Sequence, residues 1–342
     1  MQDLHYDGGM KLPLSVLDLV PVVTGGSAAA SVHRCAELAQ LAERLGYVRL
    51  WFAEHHGMPS VASSAPEILI AHAAALTKTL RLGSGGVMLP NHAPLRVAEA
   101  FRTLSALYPG RIDLGLGRAP GSDMQATRAL RAVDGEHFPN LLSELLVWSG
   151  VTPLPDGHPM SGLKAMPDDA PLPPIYLLGS SGASAEMAGG AGMGYSFASH
   201  FSPAPAAPAF DAYRQAFAPS PQFPVPHTIL GVSVVCAATD EDAQYLSSTL
   251  ELAWVRLRSG RMMTLPSPEE ASAYTYSEAE QTLVRGFRRL VIVGSPESVR
   301  AQIEAKAEAC QADEVMITSN LYSHEARLRS YELVAQAFGA SV

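Results

Sequence analysis

Short apolar runs alternate with helix-period stretches along almost the whole chain. The runs fall at residues 12–19 (LPLSVLDL), 48–53 (VRLWFA), 80–89, 112–117 (IDLGLG), 175–179 (IYLLG), 195–198, 229–237 (ILGVSVVCA) and 314–319. Runs that are apolar on successive positions predict strands buried on both faces, the habit of a parallel sheet. Between them the spacing turns helical. Cys35, Leu38, Ala39, Leu41, Ala42 and Leu45 form one stripe over residues 27–45, and Gly46 stops it. Residues 66–77 and 95–108 repeat the pattern, and Pro109-Gly110 ends the second. Residues 123–148 read as helix in two pieces, broken near Gly135 and Pro139. A minor strand is expected at residues 291–294, before a helix opened by Pro296 and Glu297.

Residues 81–121 organise the rest. They read as strand, loop, helix and strand, so the two strands are expected to be parallel, with chemistry at their C-terminal ends. Gly85, Gly86, Asn91, His92 and Arg118 fall there. Eight such βα units, without a linker or a shift in composition, predict a (β/α)8 TIM barrel; a doubly wound open sheet is the alternative. One domain over residues 1–342 is expected, led by a flexible stretch, 1–10. Two segments break the rhythm. Residues 150–174, rich in Pro, Gly and Asp, form an irregular insertion before strand five. Residues 258–285, between strands seven and eight, have no clean period and suggest a mobile lid with helical pieces.

Composition narrows the function classes. With 342 residues, net charge −9 and no basic tract, a nucleic-acid partner is not expected. No apolar run approaches the length of a membrane span, and the N-terminus has no apolar core of a secretory signal. Cys35, Cys236 and Cys310 are odd in number and far apart, which suggests reduced core thiols in a cytoplasmic protein.

The candidate chemistry sits after the strands. Glu54-His55-His56 follows strand two, and one histidine there could face the barrel mouth as acid, base or donor. A metal is not expected, since no ligand spacing such as HExxH exists. Gly85-Gly86 permits close backbone approach or an unusual peptide geometry. Arg118 ends strand four. Ser180, Ser181 and Ser184 surround a helix start after strand five, where free N–H groups, the helix dipole and hydroxyls could hold a phosphate together with Arg118; an ordinary N-cap by Ser180 or Ser181 is the plainer alternative.

The blocks LSVLDLVPV, LWFAEHHGMPSVASSAPEIL, LGSGGVMLPNHAPLRVAEAFRTLSALYPGRIDLGLGRAPG and IYLLGSSGASAEMA resemble the bacterial-luciferase-like flavin monooxygenases, over about residues 11–338. They look most like the oxidoreductase subgroup carrying LGSGGVMLPNH and GRIDLGLGRAPG, not the light-emitting enzyme. The resemblance implies a TIM-barrel homodimer that uses FMN, reduced by a separate NAD(P)H-flavin reductase. It places the flavin phosphate at Arg118, Ser181 and Ser184, the catalytic histidines His55 and His56 beside the flavin ring, and a cis peptide at Gly85-Gly86. Where the luciferase α subunit has a reactive cysteine, this chain has Gly117; Ser180 and Ser199 are further departures, which argue against light emission.

The implied reaction joins reduced FMN and O2 to oxygenate a hydrophobic organic substrate. Hydroxylation, epoxidation and Baeyer–Villiger insertion are all compatible, in a tailoring or degradation pathway. A deazaflavin-dependent dehydrogenase and a non-catalytic flavin-binding protein are the alternatives.

Overall fold

A computed structural model describes residues 12–119, 121–150, 152–153 and 157–340; the lead at 1–10 lies outside the described residues. The apolar runs form strands β1 (Leu14–Asp18), β2 (Arg49–Phe52), β3 (Arg81–Ser84), β4 (Val87–Met88), β5 (Ile112–Gly117), β6 (Ile175–Gly179), β7 (Gly194–Ala198), β8 (Thr228–Cys236), β9 (Val291–Gly294) and β10 (Glu314–Thr318). Pairing is parallel throughout and closes on itself in the order β1-β2-β3-β5-β6-β7-β8-β10-β1. That is the TIM barrel, not the open sheet. β4 continues β3 beyond a cis Gly85-Gly86 peptide and pairs β5. β9, the expected minor strand, pairs only the distal half of β8, from Ser233 to Cys236.

The helices form the outer ring: α1 (Ala28–Arg44), α2 (Pro66–Ala75), α3 (Pro94–Leu107), α4 (Met124–Ala129), α5 (Phe138–Trp148), α6 (Gly182–Gly190), α7 (Ala207–Ala216), α8 (Asp240–Arg258), α9 (Pro268–Ala273), α10 (Glu278–Arg288), α11 (Pro296–Cys310) and α12 (His324–Ala337). Local chemistry sets their starts. Ser27 caps α1 by accepting from the Ala30 N–H. Ser277 and Glu280 make a reciprocal capping box on α10. Pro139 does not break a helix as expected: it sits in the first turn of α5, where its missing N–H costs nothing, and the break is the preceding 3-10 turn at Gly135–His137.

The insertion before β6 has no helix or strand among its described residues. One buried side chain holds it. Arg102 of α3 donates to the carbonyls of Trp148 and Ser149 and to those of Pro167, Asp168 and Ala170. Backbone acceptors that lack a regular partner are thus gathered on one guanidinium.

An ionic cluster fills the N-terminal end of the barrel. Arg49 reaches both oxygens of Glu314 at 2.9 and 3.0 Å, Asp113 at 2.8 Å and the Tyr176 hydroxyl at 3.0 Å. Arg81 and Trp51 also bind Asp113, and Ser15 binds Glu314. Burial alone would raise the Asp113 pKa, but Arg49 and Arg81 outweigh it and hold the carboxyl below its usual range. The cysteines are free and buried, and burial pushes Cys35 and Cys236 up to about 12.

Candidate active site

Above the ionic cluster, Leu17, Trp51, Leu178 and Met316 form an apolar floor, and a cavity of about 650 Å³ opens over them at the C-terminal ends of the strands. Each expected site can be placed against it. His55, Gly85, Arg118, Ser181 and Ser184 line the cavity, although they come from β2, β3, β5 and β6. His56 and Gly86 do not line it.

The alternation along an extended backbone separates the two histidines. His55 turns into the cavity. Burial lowers its pKa, with Glu54 opposing, and its Nδ1 has no hydrogen-bond partner. His56 turns the other way, and its Nε2 lies 2.9 Å from Glu54 Oε1. Glu54 is the hub of that side: it also meets His92 Nε2 at 2.9 Å, the Asn91 amide at 3.1 Å and the Met88 N–H at 2.9 Å. Burial favours the neutral acid, but these donors prevail and Glu54 is held below the usual carboxylate range. His92 is correspondingly raised: burial opposes its charge, and Glu54 more than compensates. The end of β2, which carries His55, is thereby tied to the loop after β4.

The glycines divide in the same way. A Cβ on Gly85 would stand 2.6 Å from Leu17 Cδ1 on the cavity floor. A Cβ on Gly86 would stand 2.7 Å from the Gly115 carbonyl oxygen, against β5 and away from the cavity.

On the opposite wall, Arg118 is exposed at the end of β5 and has no hydrogen-bonding or ionic partner among the described residues. Ser181 occupies the N-cap position of α6, yet its side chain makes no capping hydrogen bond. The plain capping alternative therefore fails, and the first N–H groups of α6 remain open to another acceptor. Ser184 is less available: its hydroxyl donates to the Ser181 carbonyl at 2.9 Å and lies 3.2 Å from the Tyr195 hydroxyl.

The structure adds residues that the sequence did not single out as a flavin site. His200, after β7, is half-buried in the cavity wall, and desolvation of its ring pushes it down to about 4, so it is neutral at pH 7. Its Nδ1, beside the Gly231 backbone, makes no hydrogen bond of good geometry. Thr318 Oγ1 and Asn320 Oδ1, at the end of β10, are also buried without partners, and both residues line the cavity. The only sequence signal for these was position just beyond a strand. Among the described residues no group of three or more His, Cys, Asp or Glu could hold a metal ion.

The segment at 258–285 borders the mouth. Arg258, Arg261, Met262, Met263 and Leu265 line it. Leu265 is pinned between the Val22 carbonyl, 2.9 Å from its N–H, and the Thr24 N–H, 2.8 Å from its carbonyl; α9 and α10 follow. The stretch expected to be a mobile lid thus borders the mouth, with backbone pairing at Leu265 and two helices after it.

The sequence pattern of the luciferase-like monooxygenases matches residues 13–313. The chain belongs to that family. A luciferase-like monooxygenase of Escherichia coli K12 is 41% identical over 325 residues, covering 94% of this chain and 96% of the relative. The N-acetyl-S-alkylcysteine monooxygenase of Bacillus subtilis 168 is 34% identical over 327 residues, 95% and 97% of the two chains. Among solved structures, apo-MsnO8 superposes with a TM-score of 0.84 at 39% identity over 98% of this chain and 99% of the other. The barrel alone is shared with two more distant structures. One is the oxygenating constituent of a 3,6-diketocamphane monooxygenase in complex with FMN (TM-score 0.69, 20% identity, 96% and 97% covered). The other is an F420-dependent secondary alcohol dehydrogenase (0.65, 15%, 96% and 99%). Among the described residues no helix is long and apolar enough to cross a membrane.

Proposed function

We propose that the protein is an FMN-dependent monooxygenase that takes reduced FMN from a separate NAD(P)H-flavin reductase and oxygenates an apolar organic substrate with O2. Family membership makes it an oxidoreductase; the cofactor assignment rests on the cavity. One observation carries it: buried polar atoms of His55, Thr318 and Asn320 lack partners on one side of an apolar-floored cavity, while Arg118 and the uncapped start of α6 stand on the other. A planar heterocycle with polar edges, joined by a chain to a phosphate, fits that distribution.

In this reading Arg118, Ser181 and the first N–H groups of α6 hold the phosphate, with Ser184 turning its hydroxyl away from Ser181 to assist. His55, His200, Thr318 and Asn320 offer hydrogen bonds to the ring edge, and Gly85 admits the ring against the backbone. Reduced FMN supplies the electrons that activate O2. The chain excludes water with the apolar floor and the strap at residues 258–265. His55, neutral and desolvated, exchanges a proton at its unpartnered Nδ1, while Glu54 holds the strand end that carries it. The protein would act as a homodimer.

The test is direct. The protein is incubated with FMN, a generic flavin reductase, NADH and 18O-labelled O2 against a panel of apolar substrates, and product mass is read. Substrate-dependent incorporation of one labelled atom supports the reading. Tight binding of deazaflavin, hydride transfer without O2 and no incorporation would replace it with the dehydrogenase. Stoichiometric flavin binding without substrate oxidation would leave a flavin carrier.

A further inference from the structure

The cavity is electrostatically one-sided. The chain carries net charge −9, yet among the described residues no Asp or Glu lines the cavity, whereas Arg118, Arg258 and Arg261 do. Arg118 belongs to the β5–β6 side with the serines. Arg258 and Arg261 belong to the other side: Arg258 ends α8, which follows β8, Arg261 lies just beyond it, and the strap that continues from them pairs at Leu265 with residues following β1. In the closed order of strands, β8, β10 and β1 face β3, β5 and β6 across the barrel. The two cationic groups therefore stand on opposite sides of the mouth, and the phosphate reading uses only one.

The second group is built to receive an anion. The Arg258 guanidinium lies over the Trp254 ring, 4.8 Å from its centroid, and meets no carboxylate among the described residues. Stacking fixes the plane of the guanidinium but leaves its N–H fork unused. Arg261 is partly engaged, with Glu280 at 3.4 Å and the Tyr274 hydroxyl at 3.5 Å. Between this group and the cavity floor the wall is apolar and adaptable: Trp254, Leu257, Met262, Met263, Leu265 and Val61. Methionine suits a surface that must follow varied apolar shapes.

We propose that the substrate is an amphiphilic carboxylic acid, its carboxylate taken by Arg258 at the mouth and its apolar body lying along the methionine-lined wall. This rests on the flavin reading for the reaction, but the carboxylate site itself is testable without flavin. A planar carboxylate matches the fork of a stacked arginine better than a hydroxyl or amide does. Arg261 adds field, offset in part by Glu280 behind it, and none of the described residues that line the cavity is an acid.

The experiment uses the full chain and two matched probe sets: straight-chain and arylalkyl carboxylates of six to twelve carbons, and the corresponding primary amides. Binding is measured by isothermal titration calorimetry at pH 7.5 in low salt. The best-bound acid should exceed its own amide by about tenfold, the scale of one charge-assisted fork at a partly solvated mouth. Arg258→Gln should abolish that preference while leaving amide binding unchanged. FMN affinity, measured in parallel, should be the same in wild type and Arg258→Gln. The inference is overturned if no acid binds better than its amide, or if the preference survives Arg258→Gln. It is also overturned if Arg258→Gln weakens FMN, because Arg258 then belongs to the phosphate. Loss of FMN binding in wild type, with acid selectivity intact, would sink the flavin reading and leave the carboxylate site standing.

Discussion

Arg118 is the residue whose role is easiest to isolate. FMN carries a dianionic phosphate and riboflavin carries none. An exposed arginine without a partner among the described residues, lining the same cavity as an uncapped helix start, should distinguish them. Arg118→Ala is expected to weaken FMN by about ten- to a hundredfold, the equivalent of one charge-assisted contact, and to leave riboflavin almost unchanged. Equal losses for both flavins in a fluorescence titration would remove the phosphate assignment. His200 makes a prediction about stability. Its folded pKa of about 4 lies below its ordinary 6.5, so as pH falls between these values the unfolded chain gains a proton that the folded chain refuses. Stability should therefore decline over that window, by on the order of 3 kcal/mol for this group. His200→Gln should flatten the decline between pH 7 and pH 4.5 in urea unfolding. An unchanged slope would mean that His200 is not the desolvated neutral group described.

At the scale of elements, the insertion before β6 hangs on Arg102. Its contacts to five carbonyls tie the end of α5 to residues 167–170, in a stretch that has turns but no helix or strand among its described residues. Arg102→Met keeps the length of the side chain and removes every donor. It should cost roughly 3 kcal/mol and open residues 150–174 to proteolysis before the barrel unfolds. A variant as resistant to protease as wild type would show that the described packing holds the insertion without Arg102. The strap at 258–265 is legible only in part from the sequence. Its lack of period marked it as special, but the backbone pairing of Leu265 with the stretch after β1 joins residues far apart in the chain, and no local pattern encodes that.

At the scale of the molecule, the ionic cluster at the foot of the barrel specifies which strands meet. Arg49, Asp113 and Glu314 come from β2, β5 and β10 and satisfy one another only when the barrel is closed. Removing one partner strands a buried charge, so Asp113→Asn should destabilise by about 3–5 kcal/mol. Because the Asp113 pKa is held low, its contribution is present above its unfolded pKa and is lost as pH falls through the folded value. The pH dependence of unfolding should therefore be shallower below pH 4 in Asp113→Asn. A loss of less than about 1 kcal/mol would mean that the cluster closes the barrel without stabilising it.

The sequence by itself determined the barrel. Its eight buried strands and the clustering of His55, Gly85, Arg118 and Ser181 at strand ends follow from local periodicity and local chemistry. The cis Gly85-Gly86 peptide, expected from resemblance, is present in the structure. What only the tertiary structure decided is direction and company. The sequence could not say which of His55 and His56 enters the cavity, because that depends on the twist of β2 and on Glu54 finding His92 and Met88 from another loop. Nor could it separate Gly86 from Gly85, or free Ser181 while binding Ser184 to Tyr195. His200, Thr318 and Asn320 were single polar residues with no spacing to mark them; closure of the ring brings β7, β8 and β10 together and sets them around one cavity. Each is a relation between distant parts of the chain, fixed by strand closure and burial rather than by neighbours in sequence.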